Sequence, residues 1–218
     1  MLNEAYGSSL TEINKMEKIE VSTSALDSFR ASVAMHKKAQ RENPLTTSFP
    51  LRYTFTQMGH QAAVSKLYPA IFGNDSVITD MTGETNRLDT HFGIDYVVEV
   101  KNPQLRSTVD IWVQERWRTL PYQKYQDITL IENNDYSGKL SEIYKSKAQV
   151  MIYGYLSDDG VIQQAVVVDL ATVLVRIAMG KIPFGLRKNN QVNQTFIHVS
   201  IADLRDAGLV SFEYNINS

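Results

Sequence analysis

The stretch from Gly93 to Arg118 constrains this chain more than any other. Residues 92–100 are dense in β-branched and aromatic side chains. So are residues 108–118, with Val109, Ile111, Trp112 and Val113, and both runs read as strands. Between them Lys101 to Ser107 carries Asn102-Pro103, a turn signal. Together they predict an antiparallel β-hairpin. A hairpin centred near residues 104–105 brings Asp95 opposite about Gln114. A slip of one residue exchanges Gln114 for Glu115, because strand side chains alternate between faces.

The flanking segments predict a mixed α/β architecture. Residues 1–20 are polar, and a helical extension is expected over 24–42, capped by Ser24 and broken by Asn43-Pro44. Met58, Ala62, Ala63, Leu67 and Ile71 have helical spacing within 56–71. A short strand follows at 76–80, then a polar loop at 82–89 and a strand at 127–131. Residues 141–156 read as a helix. The Ala-Val-Val-Val run within 163–170 reads as a buried strand, and 171–180 as a helix. Strands at 195–199 and 210–214 around a helix at 201–207 complete the chain. At 218 residues and 43% hydrophobic, one domain is expected, with a core over about 54–170 and peripheral elements over 171–218.

Composition narrows the chemistry. The absence of cysteine excludes disulfides, thiolate zinc sites and cysteine nucleophiles. A formal charge of −2 leaves any nucleic-acid contact to local clusters of Lys and Arg. No apolar run approaches the roughly 20 residues of a membrane span, and the N-terminus lacks the apolar core of a signal peptide. A soluble cytoplasmic protein without a membrane partner is expected. His36, His60, His91 and His198 have no metal-ligand spacing and read as structural.

Several short patterns carry a resemblance. Gly93-Ile94-Asp95-Tyr96 opens one strand, Glu99-Val100-Lys101 is a literal acid-x-Lys, and Gln114-Glu115-Arg116 lies one hairpin later. Gln149 and Tyr153 form Gln-x-x-x-Tyr on the expected helix 141–156. Taken with the order helix, strand, strand, strand, helix, strand, these patterns resemble the PD-(D/E)XK nuclease superfamily. That resemblance implies a restriction-endonuclease-like core, α-β-β-β-α-β, with a mixed central sheet flanked by helices. The sequence departs from the pattern at Arg116, where the family has Lys, and at His60, where some relatives carry a helix-borne Glu.

Two pairings of the motif remain open. Asp95 and Glu99 on one strand lie roughly 13 Å apart, too far to share a magnesium ion that wants oxygens near 2.1 Å. If Asp95 is the first acid, its partner comes from the 114–116 cluster. Otherwise Asp80 or Asp89 pairs with Glu99 and Lys101; Asp80 to Glu99 has the same separation as Asp95 to Gln114. The hairpin pairing is favoured.

The resemblance implies Mg²⁺, with Mn²⁺ as a substitute, held by Asp95 and Glu115, and hydrolysis of DNA phosphodiesters. Endonuclease action is favoured over exonuclease action, in a restriction or mobile-element setting, and a homodimer is compatible with it. Arg116 supplies charge but is always protonated and cannot act as a base. Arg118, Gln149 and Tyr153 are the expected DNA contacts. Lys124, Lys139, Lys145 and Lys147, interleaved with Trp112, Trp117, Tyr122 and Tyr125, suit phosphate contact and stacking. A catalytically inactive module on the same fold, binding DNA or a protein partner, is the alternative.

Overall fold

A computed structural model describes residues 49–217, apart from 84, 103–105, 135–140 and 190–193, with side chains from Thr54 onward except those of 133 and 134. The expected helix at 24–42 and Lys139 lie outside the described residues. Residues from Tyr53 onward form one compact unit.

Helix α1 (Phe49–Lys66) runs into a short helix α2 (Tyr68–Phe72). Strand β1 (Val77–Asp80) and helix α3 (Arg87–Phe92) lead to the hairpin of β2 (Tyr96–Asn102) and β3 (Ser107–Thr119). A 3-10 turn (Leu120–Tyr125), β4 (Asp127–Asn134) and helix α4 (Glu142–Lys145) carry the chain to β5 (Val150–Leu156). Next come β6 (Ile162–Asp169), α5 (Leu170–Ala178), β7 (Gly185–Asn189), β8 (Gln194–Ser200), α6 (Ile201–Asp206) and β9 (Val210–Asn215). The fold is α/β. Six strands form a mixed sheet in the order β1-β2-β3-β5-β6-β9, with β3 and β5 its parallel pair. A second sheet has the order β4-β8-β7. Among the described residues no helix is long and apolar enough to cross a membrane.

The two-residue period of a strand sorts the sheet's side chains into two cores. Ile152, Leu156, Ala165, Val167, Val113 and Trp117 pack with Ala63 of α1 and with Leu67 at the junction of α1 and α2. Met151, Tyr153, Tyr155, Val166 and Val168 pack with Ile128 and Ile197 of the second sheet and with Val173 of α5.

Two segments differ from the sequence expectation. Residues 141–156 are not one helix: α4 has four residues, and 150–156 is a central strand with nearly every side chain buried. A strand covered on both faces loses its polar alternation, so its apolar run imitates a buried helix. The loop expected at 82–89 closes with α3, which takes in Phe92 and so delays β2 to Tyr96. Asn86 caps that helix by accepting from the Leu88 N–H, and Gly93 ends it at φ 59°. Left-handed backbone of this kind suits glycine because it has no Cβ.

Candidate functional site

The hairpin register pairs Tyr96 with Val113 and Glu99 with Asp110. At Asp95 the regular ladder ends. Its N–H donates to Val113 O at 2.9 Å, and its carboxylate Oδ2 accepts the Glu115 N–H at 2.6 Å. Asp95 thus brackets Gln114 with two bonds to its neighbours, and its charge is felt by Glu115 and His60.

Glu115 points towards α1. Its Oε2 meets His60 Nδ1 at 2.6 Å and accepts the Trp117 Nε1–H at 2.7 Å. The ion pair is buried, with side-chain exposures of 5% for His60 and 0% for Glu115. Among the described residues neither the other oxygen, Oε1, nor the Tyr68 hydroxyl has a hydrogen-bond partner within bonding distance, although Tyr68 stands close enough for Glu115 to raise it. A buried carboxylate oxygen left without a donor is uncommon and costly. Helix α1 comes this close because the Trp117 ring lies between two glycines. A Cβ on Gly59 or on Gly154 would stand 2.3 Å from that ring. His60 follows Gly59 directly, so the same approach that seats Trp117 delivers the imidazole to Glu115.

The electrostatics follow from this burial. Desolvation pushes the Asp95 carboxyl up to about 7, even though the Glu115 N–H and His60 favour its charged form and the Asp89 and Glu115 charges oppose it. Burial alone would pull His60 down; the bond from Glu115 and the charges of Glu115, Asp95 and Asp80 outweigh it and leave the imidazole raised. Tyr68 and Tyr96 are raised by burial first and by the Glu115 charge second. An acid near neutrality, a second, buried acidic side chain and an imidazole whose pKa is raised therefore share one end of the hairpin.

The other expected site residues lie elsewhere. Gln114 and Arg116 face the opposite side of β3, where Gln114 Nε2 donates to Glu142 Oε1 at 2.7 Å and Arg116 forms an ion pair with the same oxygen. Glu142 Oε2 also accepts the Ile131 N–H, so that buried acid is fully engaged. Lys101 is exposed and pairs with Asp75 at 3.4 Å. Glu99 is exposed and registers against Val77 and Asp110. Asp80 registers with Tyr96, three residues from Glu99, roughly 10 Å along the strand. Asp80 and Asp89 spend their carboxylates on the backbone of Thr82 and Gly83. Gln149 and Tyr153 are not on a helix face: Gln149 bonds the backbone of Trp112, while Tyr153 is buried in β5 with its hydroxyl 3.2 Å from Arg118. Trp117 is buried, and Trp112 is 41% exposed.

Sequence reasoning missed His60, whose partner is 55 positions away. Its place where some relatives in the resembled family carry a helix-borne Glu, and the glycine before it, are the signals; the absence of metal-ligand spacing makes it read as structural. Compared with known proteins, the chain matches no family model, no curated protein and no solved structure.

Proposed function

We propose that this protein is a metal-dependent nuclease that hydrolyses DNA phosphodiester bonds on a restriction-endonuclease-like core. In this reading α1, β1, β2, β3 and β5 supply the helix and strands of that core, and the crossover from β3 to β5 replaces the usual long helix with the 3-10 turn, β4 and α4. The observation that carries it is the bond from the Glu115 N–H of β3 to the carboxylate of Asp95, the residue before β2, with the Glu115 side chain held by His60 of α1.

Among the described residues no three His, Asp or Glu side chains form a metal-binding group. Magnesium needs fewer protein ligands than that: it commonly binds one or two carboxylates and keeps waters or phosphate oxygens for the rest. Glu115 Oε1, buried and unpartnered, and the Asp95 carboxyl fit such a donor set. Bound there, Mg²⁺ or Mn²⁺ supplies polarisation of the phosphate and acidification of the attacking water. Asp95 would hold such a cation in its ionised form, which its position near neutrality keeps accessible. His60 holds Glu115 in place through its Nδ1, and its raised pKa favours the charged form beside it. Arg116 does not fill the role of the family's Lys, since Glu142 holds it on the other face.

The test is incubation of the purified chain with plasmid and Mg²⁺ or Mn²⁺. Cleavage is expected, abolished by Asp95→Ala and by EDTA. Cleavage unchanged in the variant would remove this site.

The sealing of Glu115 and the engagement of Arg116 favour a second reading, a catalytically inactive module of the same fold that binds DNA or a protein partner. DNA binding with no cleavage in either metal is its signature.

A further inference from the structure

On the side of β3 facing the second sheet lies an open cleft of about 350 Å³, walled by the 3-10 turn, β3, β4 and the β7–β8 pair. That volume falls in the roughly 300–1,000 Å³ range of small-ligand pockets. It pairs aromatic rings with guanidinium groups throughout. The Arg118 guanidinium lies 4.0 Å from the centre of the Tyr122 ring, and that of Arg187 lies 4.8 Å from Tyr125. Lys124 stands 5.2 Å from the same Tyr125 ring. Tyr122 and Tyr125 are 44% and 45% exposed, with centroids 6.4 Å apart. Large aromatic rings left this open beside cations are a surface built to take a partner.

The charge of the cleft is positive in a chain whose net charge is −2. Arg118, Lys124, Arg187 and Lys188 gather here, opposed by the buried Asp127. Asp127 reaches Arg187 and His198 only at 3.8 and 3.9 Å, so it biases their placement without engaging them in hydrogen bonds. The inner wall is fixed: Arg118 donates to Thr129 Oγ1 at 3.3 Å and to the Tyr153 hydroxyl at 3.2 Å. His198 fits against Gly185, where a Cβ would stand 2.2 Å from its ring.

We propose that this cleft binds single-stranded nucleic acid, seating a base on the tyrosine–guanidinium stack and a backbone phosphate between Arg118 and Arg187. Rings accept any base face, and guanidinium planes extend the stack while carrying the charge that phosphate needs. A base inside a duplex has both faces covered by its stacked neighbours, so the geometry discriminates against duplex. Lys188 in the cleft wall and Lys124 beside Tyr125 add more positive charge than one phosphate needs, which favours a strand over a single nucleotide. The proposal rests on the nucleic-acid reading above only for the class of ligand, and not on cleavage.

The test is fluorescence anisotropy of the full chain with a labelled twelve-nucleotide single strand, in EDTA so that no cleavage intervenes. The same strand in duplex form and AMP as competitor complete the set. Tyr125→Ala should weaken the single strand about tenfold, since stacking contributes roughly 1–3 kcal/mol per base, and leave the salt dependence unchanged. Arg187→Ala should reduce the slope of log affinity against log salt by about 0.7, one phosphate on a single strand. Both positions are exposed, so unchanged thermal melting is expected. Equal affinity for duplex, binding of AMP alone, or wild-type binding by both variants would overturn the proposal. Asp95→Ala should bind as the wild type does, so loss of cleavage with retained binding separates this cleft from the hairpin site.

Discussion

Val113, Glu115 and Trp117 face α1, whereas Gln114, Arg116 and Arg118 face the second sheet, and the two rows treat a buried acid in opposite ways. On the even side, Glu142 receives three donors, from Gln114, Arg116 and Ile131, and every carboxylate oxygen is satisfied. On the odd side, Glu115 bonds His60 and Trp117 through one oxygen, and among the described residues the other has no hydrogen-bond partner, only the Tyr68 hydroxyl nearby. A satisfied buried network rigidifies a core; an open one holds unspent interaction energy in a dry place, where functional groups gather. One strand thus separates a fully bonded acid from an incompletely bonded one by a single residue step.

The largest expected effect comes from breaking the open side. Glu115→Ala strands a buried imidazole and an indole N–H, and should cost about 3–5 kcal/mol in urea unfolding. Glu142→Ala should cost less, about 2 kcal/mol, because its partner Arg116 is 21% exposed and water can replace the acid. The reverse order would erase the contrast between the rows.

The approach of α1 can be tested next. Gly59→Ala drives a Cβ into the Trp117 ring, which Gly154 blocks from behind. Overpacking of this kind should cost about 3 kcal/mol. It should also separate His60 from Glu115, so the imidazole proton resonance should titrate nearer its ordinary value.

Asp95 gives the next effect, and its sign is opposite. Its folded pKa, about 7, lies above its unfolded value, so between about 4 and 7 the folded state holds a proton that the unfolded state has lost. Stability from this group therefore falls as pH rises through that window. His60, also raised, contributes stability that is present below its unfolded pKa and lost as pH rises through the folded one. Asp95→Asn keeps an acceptor for the Glu115 N–H and removes the charge. It should stabilise the protein at pH 7 by on the order of 2 kcal/mol and flatten the profile between 4 and 7, while abolishing cleavage. A variant that unfolds more easily at pH 7 would show that the carboxylate is already satisfied.

The hairpin was legible because its evidence is local: two β-rich runs, one turn, and a register set by counting from the turn. Counting put Asp95 opposite Gln114; the break in the ladder at Asp95 turned the carboxyl to the Glu115 N–H instead, a detail of backbone irregularity that alternation does not encode. β5 was misread for a physical reason. Val150 to Leu156 is covered on both faces, so it has no polar positions to betray a two-residue period; its seven-residue length and Gly154 were the better signals. His60 was invisible because its meaning lies in a contact across the sheet, permitted by the missing side chains of Gly59 and Gly154.

The smallest expected effect falls on the motif most conspicuous in the sequence. Glu99-Val100-Lys101 is a literal acid-x-Lys, yet Lys101 is 65% exposed and its partner Asp75 is 68% exposed. Exposed pairs of this kind contribute roughly 0–1 kcal/mol, because water screens the attraction and two long side chains must be held still. Glu99→Ala and Lys101→Ala should therefore change unfolding by less than about 0.5 kcal/mol and leave any cleavage of plasmid intact. If either substitution removes cleavage while Asp95→Ala does not, the first acid is Asp80 or Asp89 and the hairpin is scaffolding. The β1–β2 register argues against that outcome: bringing Asp80 to Glu99 requires sliding the pair by three residues, and an odd slide turns the side chains of β1 to the other face. Ile78 would leave the core beside α1, and the strand has only four residues with which to compensate.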